Sequence, residues 1–82
     1  MVARFVPPIW IREGALFFRT IDSAEEGWTY LDGYSGDRGA VYHATKLAMQ
    51  RAVDGELSVD DARLAFWRFA ADISILGETS PA

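Results

Sequence analysis

His43 is the only histidine in the sequence, and histidine is the side chain that titrates near neutral pH without perturbation. A catalytic histidine is normally oriented by a carboxylate. If residues 39–54 form a helix, the positions three and four residues from His43 carry no acid. We therefore expect a surface histidine and predict no catalytic residue. An acid supplied by a second copy of the chain is the one arrangement that would make His43 catalytic.

The carboxylates are scattered, with two adjacent pairs, Glu25 with Glu26 and Asp60 with Asp61, each in the first turn of a predicted helix. Adjacent helical residues point about 100° apart, so neither pair can share a proton. Capping and helix-dipole roles explain them better. The chain has no cysteine and one histidine, which excludes thiolate and paired-histidine metal sites within one chain. We expect no metal and no cofactor.

The glycines at positions 33, 36 and 39 match neither a dinucleotide-binding nor a P-loop motif. Arg38 and Gly39 directly precede a predicted helix, whose first backbone amides can bind an anion. The sequence thus predicts a weak anion site at Arg38 and Gly39. The alternative is that Asp37 caps the helix and Arg38 lies at the surface or in an ion pair.

The chain has 82 residues, is half apolar and carries a net charge of −4. This length predicts a single domain over residues 1–82. The acidic balance argues against nucleic acid, which would require Arg38, Arg51 and Arg63 to cluster on one face. The sequence has neither a signal-peptide pattern nor a membrane-length apolar run, so we expect a cytoplasmic protein with no membrane contact.

Residues 5–21 have the β-branched and aromatic runs of a β-hairpin around a glycine-containing turn. A two-residue turn would pair Ile11 with Leu16 and place Trp10 and Phe17 on one face. A three-residue turn with a glycine bulge would move the second strand by one residue. In either register both faces carry aromatic side chains, so one face needs a cover or is a contact surface.

Pro7 and Pro8 lack backbone N–H groups, which predicts that the first strand begins or lies at the edge of its sheet.

The first helix is predicted over residues 23–34. Asp22 or Ser23 is expected to cap it, and Ser23 and Glu26 have the spacing of a capping box. Ala24, Trp28 and Leu31 form its buried stripe, and Gly27 permits close packing.

The second helix is predicted over residues 39–54. Its expected buried face consists of Val41, Ala44, Ala48 and Ala52, widened by Leu47. Small residues on that face indicate close helix packing.

The third helix is predicted over residues 58–76, with Ser58 as its cap. It carries two apolar stripes on opposite sides. The first consists of Ala62, Phe66, Phe69, Ile73 and Leu76, and the second of Leu64, Trp67, Ala71 and Ile75. So small a domain cannot bury both faces internally, so the second stripe should meet another chain or be covered by the hairpin.

These elements predict an α+β fold in which an N-terminal antiparallel β-hairpin packs on three helices (ββααα), with a frayed tail over residues 77–82.

Several short segments resemble a known family. They are residues 22–26, Asp37-Arg38-Gly39 with Tyr42 three residues on, residues 54–56 and residues 61–66. The chain resembles the bacterial family called domain of unknown function 982, typical of plant-associated alphaproteobacteria, over about residues 8 to 76. The resemblance implies a fold but no activity, because the family has no assigned function and supplies no catalytic residues.

For function, we expect a non-enzymatic interaction or regulatory module that acts as a homodimer, with an unknown protein partner as a further possibility. The predicted interface residues are Trp10, Phe17, Leu64, Trp67, Ala71 and Ile75. The alternative is a small-ligand-binding protein with an aromatic pocket between hairpin and helices, lined by Trp10, Trp28, Tyr34 and Tyr42.

Overall fold

The computed structural model describes residues 3–13, 17–36, 38–73 and 75. These residues form two antiparallel strands followed by three helices, which confirms the predicted α+β fold. The elements are β1 (Arg4–Arg12), β2 (Phe18–Ser23), α1 (Ala24–Asp32), α2 (Ala40–Val53) and α3 (Val59–Asp72). The predicted tail at residues 77–82 lies outside the described residues.

The hairpin has a register that differs from both predicted ones. Ile11 of β1 pairs with Arg19 and Trp10 pairs with Thr20, whereas Leu16, the predicted partner of Ile11, lies outside the described residues. The chain reverses later than expected, since the Glu13 N–H donates a 2.9 Å hydrogen bond to the Phe17 carbonyl. This shift changes the outer face of the sheet: Arg12 pairs with Phe18, so Phe18 joins Trp10 there in place of Phe17.

The edge of β1 that faces away from β2 is covered by groups from α3 and the segment after it. Pro7 and Pro8 supply no N–H to this edge, and the pairing with β2 is irregular around them, between Arg4 and Ile9. The Arg63 Nε donates a 2.6 Å hydrogen bond to the Pro7 carbonyl, and the Arg12 N–H donates to the Ile75 carbonyl at 2.6 Å. The first strand thus lies at a sheet edge, as the prolines predict.

Both predicted serine caps are confirmed. The Ser23 hydroxyl accepts a 3.1 Å hydrogen bond from the Glu26 N–H at the start of α1. The Glu26 carboxylate in turn accepts from the Asp22 N–H at 2.7 Å. The Ser58 hydroxyl accepts from the Asp61 N–H at 3.1 Å at the start of α3. Each cap satisfies a backbone donor that its helix leaves free.

The core lies between the inner face of the hairpin and the three helices. Its large, fully buried side chains are Phe5, Ile9, Ile11, Ile21, Leu31, Met49, Phe66 and Phe69. The first predicted stripe of the third helix is confirmed at Ala62, Phe66 and Phe69. Leu76, its last predicted member, lies outside the described residues.

The predicted buried face of the second helix is largely wrong. The structure buries Tyr42, Thr45, Met49 and Ala52, whereas Val41 and Leu47 are 49% and 57% exposed. The face is rotated because the larger side chains of Tyr42 and Met49 fill the space above α1. Gly27 of α1 leaves room for Met49, which confirms close packing at that glycine.

Candidate functional site

Apart from Val6, which is 74% exposed, β1, β2 and α3 expose four large apolar side chains. Trp10 is 48%, Phe18 49%, Leu64 44% and Trp67 40% exposed. Strand alternation places Trp10 and Phe18 on the outer face of the hairpin. We call these four residues, together with the exposed Ala71 of α3, the tryptophan face.

The edge of β1 lies between the hairpin part of the tryptophan face and its α3 part. Arg63 lies one helical turn before Trp67 and on the same flank of α3. Because the Arg63 side chain reaches the Pro7 carbonyl of β1, this flank of α3 is the one beside the strand. Trp10 and Trp67 therefore lie on either side of the β1 edge.

The remaining predicted interface residues are placed differently. Phe17 is 70% exposed, but it precedes β2 and is not on the outer hairpin face with Trp10. Ile75 is partly buried against the core, and its carbonyl binds the Arg12 N–H. Its assignment to the second helical stripe is wrong, because α3 ends at Asp72. Phe18 is not among the predicted interface residues, because the hairpin register decides which face of the sheet it lies on.

Arg38 binds backbone carbonyls at the end of α1. Its Nε and Nη2 donate to the Tyr34 carbonyl at 2.9 and 2.6 Å, and Nη2 also reaches the Asp32 carbonyl at 3.3 Å. Gly39 is the N-cap residue of α2 and makes no side-chain cap, while Asp37, the alternative cap, lies outside the described residues. Two of the donors that the predicted anion site would use, the Arg38 Nε and Nη2, are thus directed at the negative end of the α1 dipole.

Tyr42 and Lys46 continue this contact between α2 and the end of α1. The buried Tyr42 hydroxyl donates to the Leu31 carbonyl at 2.7 Å. The Lys46 ammonium pairs with the Asp32 carboxylate at 3.1 Å and lies 4.7 Å from the centre of the Trp28 ring. Arg38, Tyr42 and Lys46 are four residues apart, so they lie along one side of α2 and its approach.

The four residues of the predicted aromatic pocket (Trp10, Trp28, Tyr34 and Tyr42) lie in three separate places. Tyr34 stacks on Tyr42, with ring centres 5.9 Å apart and planes at 21°. Trp28 instead lines a cleft between α1 and α2 with Gln50 and Val53, and Trp10 lies on the outer face of the hairpin. The sequence could not show this division, because it depends on how α1 and α2 cross.

A different cleft, of about 420 Å³, lies between the end of the hairpin and the end of α1. Glu13, Arg19, Tyr30 and Tyr34 line it. The Arg19 guanidinium pairs with the Glu13 carboxylate at 3.2 Å and lies 5.9 Å from the centre of the Tyr30 ring. Burial is the main cause that raises the pKa of Tyr30. The cleft offers a positive group, a negative group and two aromatic rings to a small ligand.

His43 is exposed and packs edge-on against the Tyr42 ring, with ring centres 5.1 Å apart. Over residues 3–13, 17–36, 38–73 and 75, no group of three or more histidine, cysteine or acidic side chains is placed to hold a metal ion. None of the helices in this part of the chain combines the length and apolar character needed to cross a bilayer.

A family model described as protein of unknown function (DUF982) matches residues 8–76. The match runs from the middle of β1 to beyond the end of α3. Neither a curated protein nor a solved structure matches the chain.

Proposed function

The chain belongs to the DUF982 family of proteins of unknown function, and we propose that it is a non-enzymatic interaction or regulatory module that acts as a homodimer. The observation that carries this proposal is the pair of exposed tryptophans, Trp10 and Trp67, on either side of the β1 edge. Tryptophan is enriched among residues that dominate binding energy at interfaces. Covering both rings would remove apolar surface from water, which favours association.

The size of the chain favours a second copy as the cover. Its accessible surface is 5167 Å², and an interface of about 800 Å² per partner would cover about 15% of that area. Small domains bury a smaller fraction of their surface on folding than large ones. Association would therefore add a substantial share to the apolar area buried by each chain.

Sedimentation equilibrium over a wide concentration range tests the proposal. We expect a dimer for the wild type and a monomer for Trp67→Glu. Leu47→Glu is the matched control, because Leu47 is an exposed apolar residue on α2, outside the tryptophan face, and this variant should remain dimeric. Circular dichroism checks that each variant is folded, and Trp67→Ser replaces the glutamate variant if that one unfolds. A wild type that is monomeric throughout, or equal weakening by Leu47→Glu, would overturn the proposal.

The second candidate function is binding of a small polar ligand in the cleft lined by Glu13, Arg19, Tyr30 and Tyr34. The ion pair between Arg19 and Glu13 favours this candidate, because both side chains are partly exposed. Each could bind the opposite charge of a ligand that carries both a positive and a negative group. Free amino acids are the probe, since each carries a carboxylate and an ammonium group. Saturation-transfer NMR should give a signal with the wild type that is lost in Arg19→Met. No signal with any amino acid would reject this candidate.

A further inference from the structure

The exposed side of α3 carries charges in a self-complementary order. We propose that two copies of the chain pair through α3 in antiparallel orientation, about a two-fold axis beside Leu64, with Asp61 of each copy facing Arg68 of the other. This inference rests on the homodimer proposed above and specifies how its two chains are arranged.

Asp61 and Arg68 lie on one line along the helix. They are seven residues apart, which is nearly two turns and about 10.5 Å of helix length. Leu64 lies near the midpoint between them on the outward side. All three side chains are exposed, so an acid, an apolar residue and a base follow one another on a surface that a second chain can reach.

Charge complementarity selects the orientation of the second chain. A two-fold axis beside Leu64 brings the acidic end of one helix opposite the basic end of the other, and it forms two equivalent Asp61–Arg68 pairs. A parallel two-fold arrangement would instead place the flank with Asp61 and Arg68 of one copy beside the Trp67 flank of the other, so these charges would not pair. Among the described residues, none of the ion pairs involves Asp61 or Arg68, so the complementary charges have no intramolecular partner there.

The same symmetry accounts for the tryptophan face. A two-fold axis perpendicular to two antiparallel helices keeps each flank of one helix next to the same flank of the other. The flank with Asp61 and Arg68 therefore meets its own copy on one side of the contact. On the other side, Trp67 meets Trp67 of the second copy, next to the β1 edge and Trp10.

Two backbone groups at the edge of β1 are already occupied, which disfavours the main competing arrangement on this side of the molecule. Strand edges commonly join chains through backbone hydrogen bonds. Here the Pro7 carbonyl is occupied by Arg63, and the Arg12 N–H is occupied by the Ile75 carbonyl. Side-chain contact through α3 is the mode that these groups leave available.

Two charge-reversal variants test the arrangement. Asp61→Lys and Arg68→Glu should each weaken the dimer at least about tenfold when measured alone by sedimentation equilibrium, because each would place like charges opposite each other. An equimolar mixture of the two should form a heterodimer at least as tight as the wild type, since both junctions are then complementary. Because an unfolded variant could not form this heterodimer, its formation also shows that both variants are folded. Asp72→Lys is the matched control: it makes the same charge change on the same exposed flank, beyond the Arg68 contact, and should leave the dissociation constant within about twofold.

The outcomes separate this inference from the homodimer itself. If the wild type dimerises and Trp67→Glu disrupts it, but the mixture shows no preference over either variant alone, the antiparallel α3 arrangement is wrong and the homodimer stands. If Asp72→Lys weakens the dimer as much as Asp61→Lys does, the specific Asp61–Arg68 pairing is wrong. If the wild type is monomeric at every concentration, both proposals are overturned.

Discussion

The hydroxyl of Tyr42 in α2 donates a 2.7 Å hydrogen bond to the carbonyl of Leu31 in the last turn of α1, and both residues are buried. The end of a helix leaves carbonyls without an intrahelical partner. Here a side chain from the next helix donates to one of them beside the Tyr34 N–H, which also donates to Leu31 at 3.1 Å, and this contact joins the two helices at a buried point.

Replacing Tyr42 by phenylalanine should destabilise the fold by about 1 kcal/mol, because the buried Leu31 carbonyl loses this donor and keeps the Tyr34 N–H at 3.1 Å. Urea unfolding followed by circular dichroism measures the change. Tyr34→Phe is the matched control, since Tyr34 is only half-buried and its change should stay within about 0.5 kcal/mol. Equal losses in the two variants would contradict the role of the Tyr42 hydroxyl.

Arg38→Met should lower the free energy of unfolding by about 1 kcal/mol, because the Tyr34 and Asp32 carbonyls lose a charged donor. Arg38→Lys should recover only part of this loss, since a single ammonium cannot reproduce the paired Nε and Nη2 donors. Arg51→Met is the control, because the one ion pair that Arg51 makes among the described residues is a long exposed contact with Glu56 at 3.9 Å. Full recovery by lysine would show that charge alone matters at position 38.

Gly27→Ala should destabilise the fold by about 1 kcal/mol, although alanine has the higher helix propensity. Its Cβ would lie 2.7 Å from the Met49 Sδ and 3.2 Å from the Phe66 Cδ2, and both neighbours are fully buried, so overpacking outweighs propensity. Urea unfolding of the single and double variants in a Met49→Ala background tests this. In the Met49→Ala background, Gly27→Ala should lower the free energy of unfolding by less, or raise it. A loss of stability that is the same with and without the Met49 side chain would contradict the packing argument.

Alkaline pH should reduce stability through Tyr30. Burial raises the pKa of Tyr30 above its ordinary value of 10.0. Below pH 10 the Tyr30 hydroxyl stays protonated in both the folded and the unfolded chain, so its contribution to the free energy of unfolding is fully present. As pH rises through 10 toward the folded-state pKa, the unfolded chain ionises first and the free energy of unfolding falls. In urea titrations from about pH 8 to about pH 11, the wild type should lose stability relative to Tyr30→Phe only above pH 10. A constant difference over the whole range would contradict the prediction.

The features predicted correctly from the sequence are those set by neighbouring residues. Ser23 and Ser58 bind backbone groups three residues away, so spacing alone identifies them as caps. Phe66 and Phe69 are apolar residues at helical spacing, and both are buried as predicted.

The features predicted wrongly depend on contacts between elements. The face that α2 buries is decided by the space that Gly27 leaves for Met49, and alanine periodicity does not contain that information. The hairpin register depends on the length of its turn, so Phe17 was predicted where Phe18 lies. Ile75 was assigned to a helix that ends at Asp72, because its apolar spacing continues past the end of α3.

The contacts at the end of α1 have a consequence for how the molecule opens. α1 has nine residues, fewer than the roughly 12–15 that an isolated helix needs for appreciable stability in water. The carbonyls of Leu31 and Asp32 accept hydrogen bonds from Tyr42 and Arg38. We therefore expect α1 and the first turn of α2 to open as one cooperative unit, so that the amide protons of α1 exchange with solvent when α2 is released.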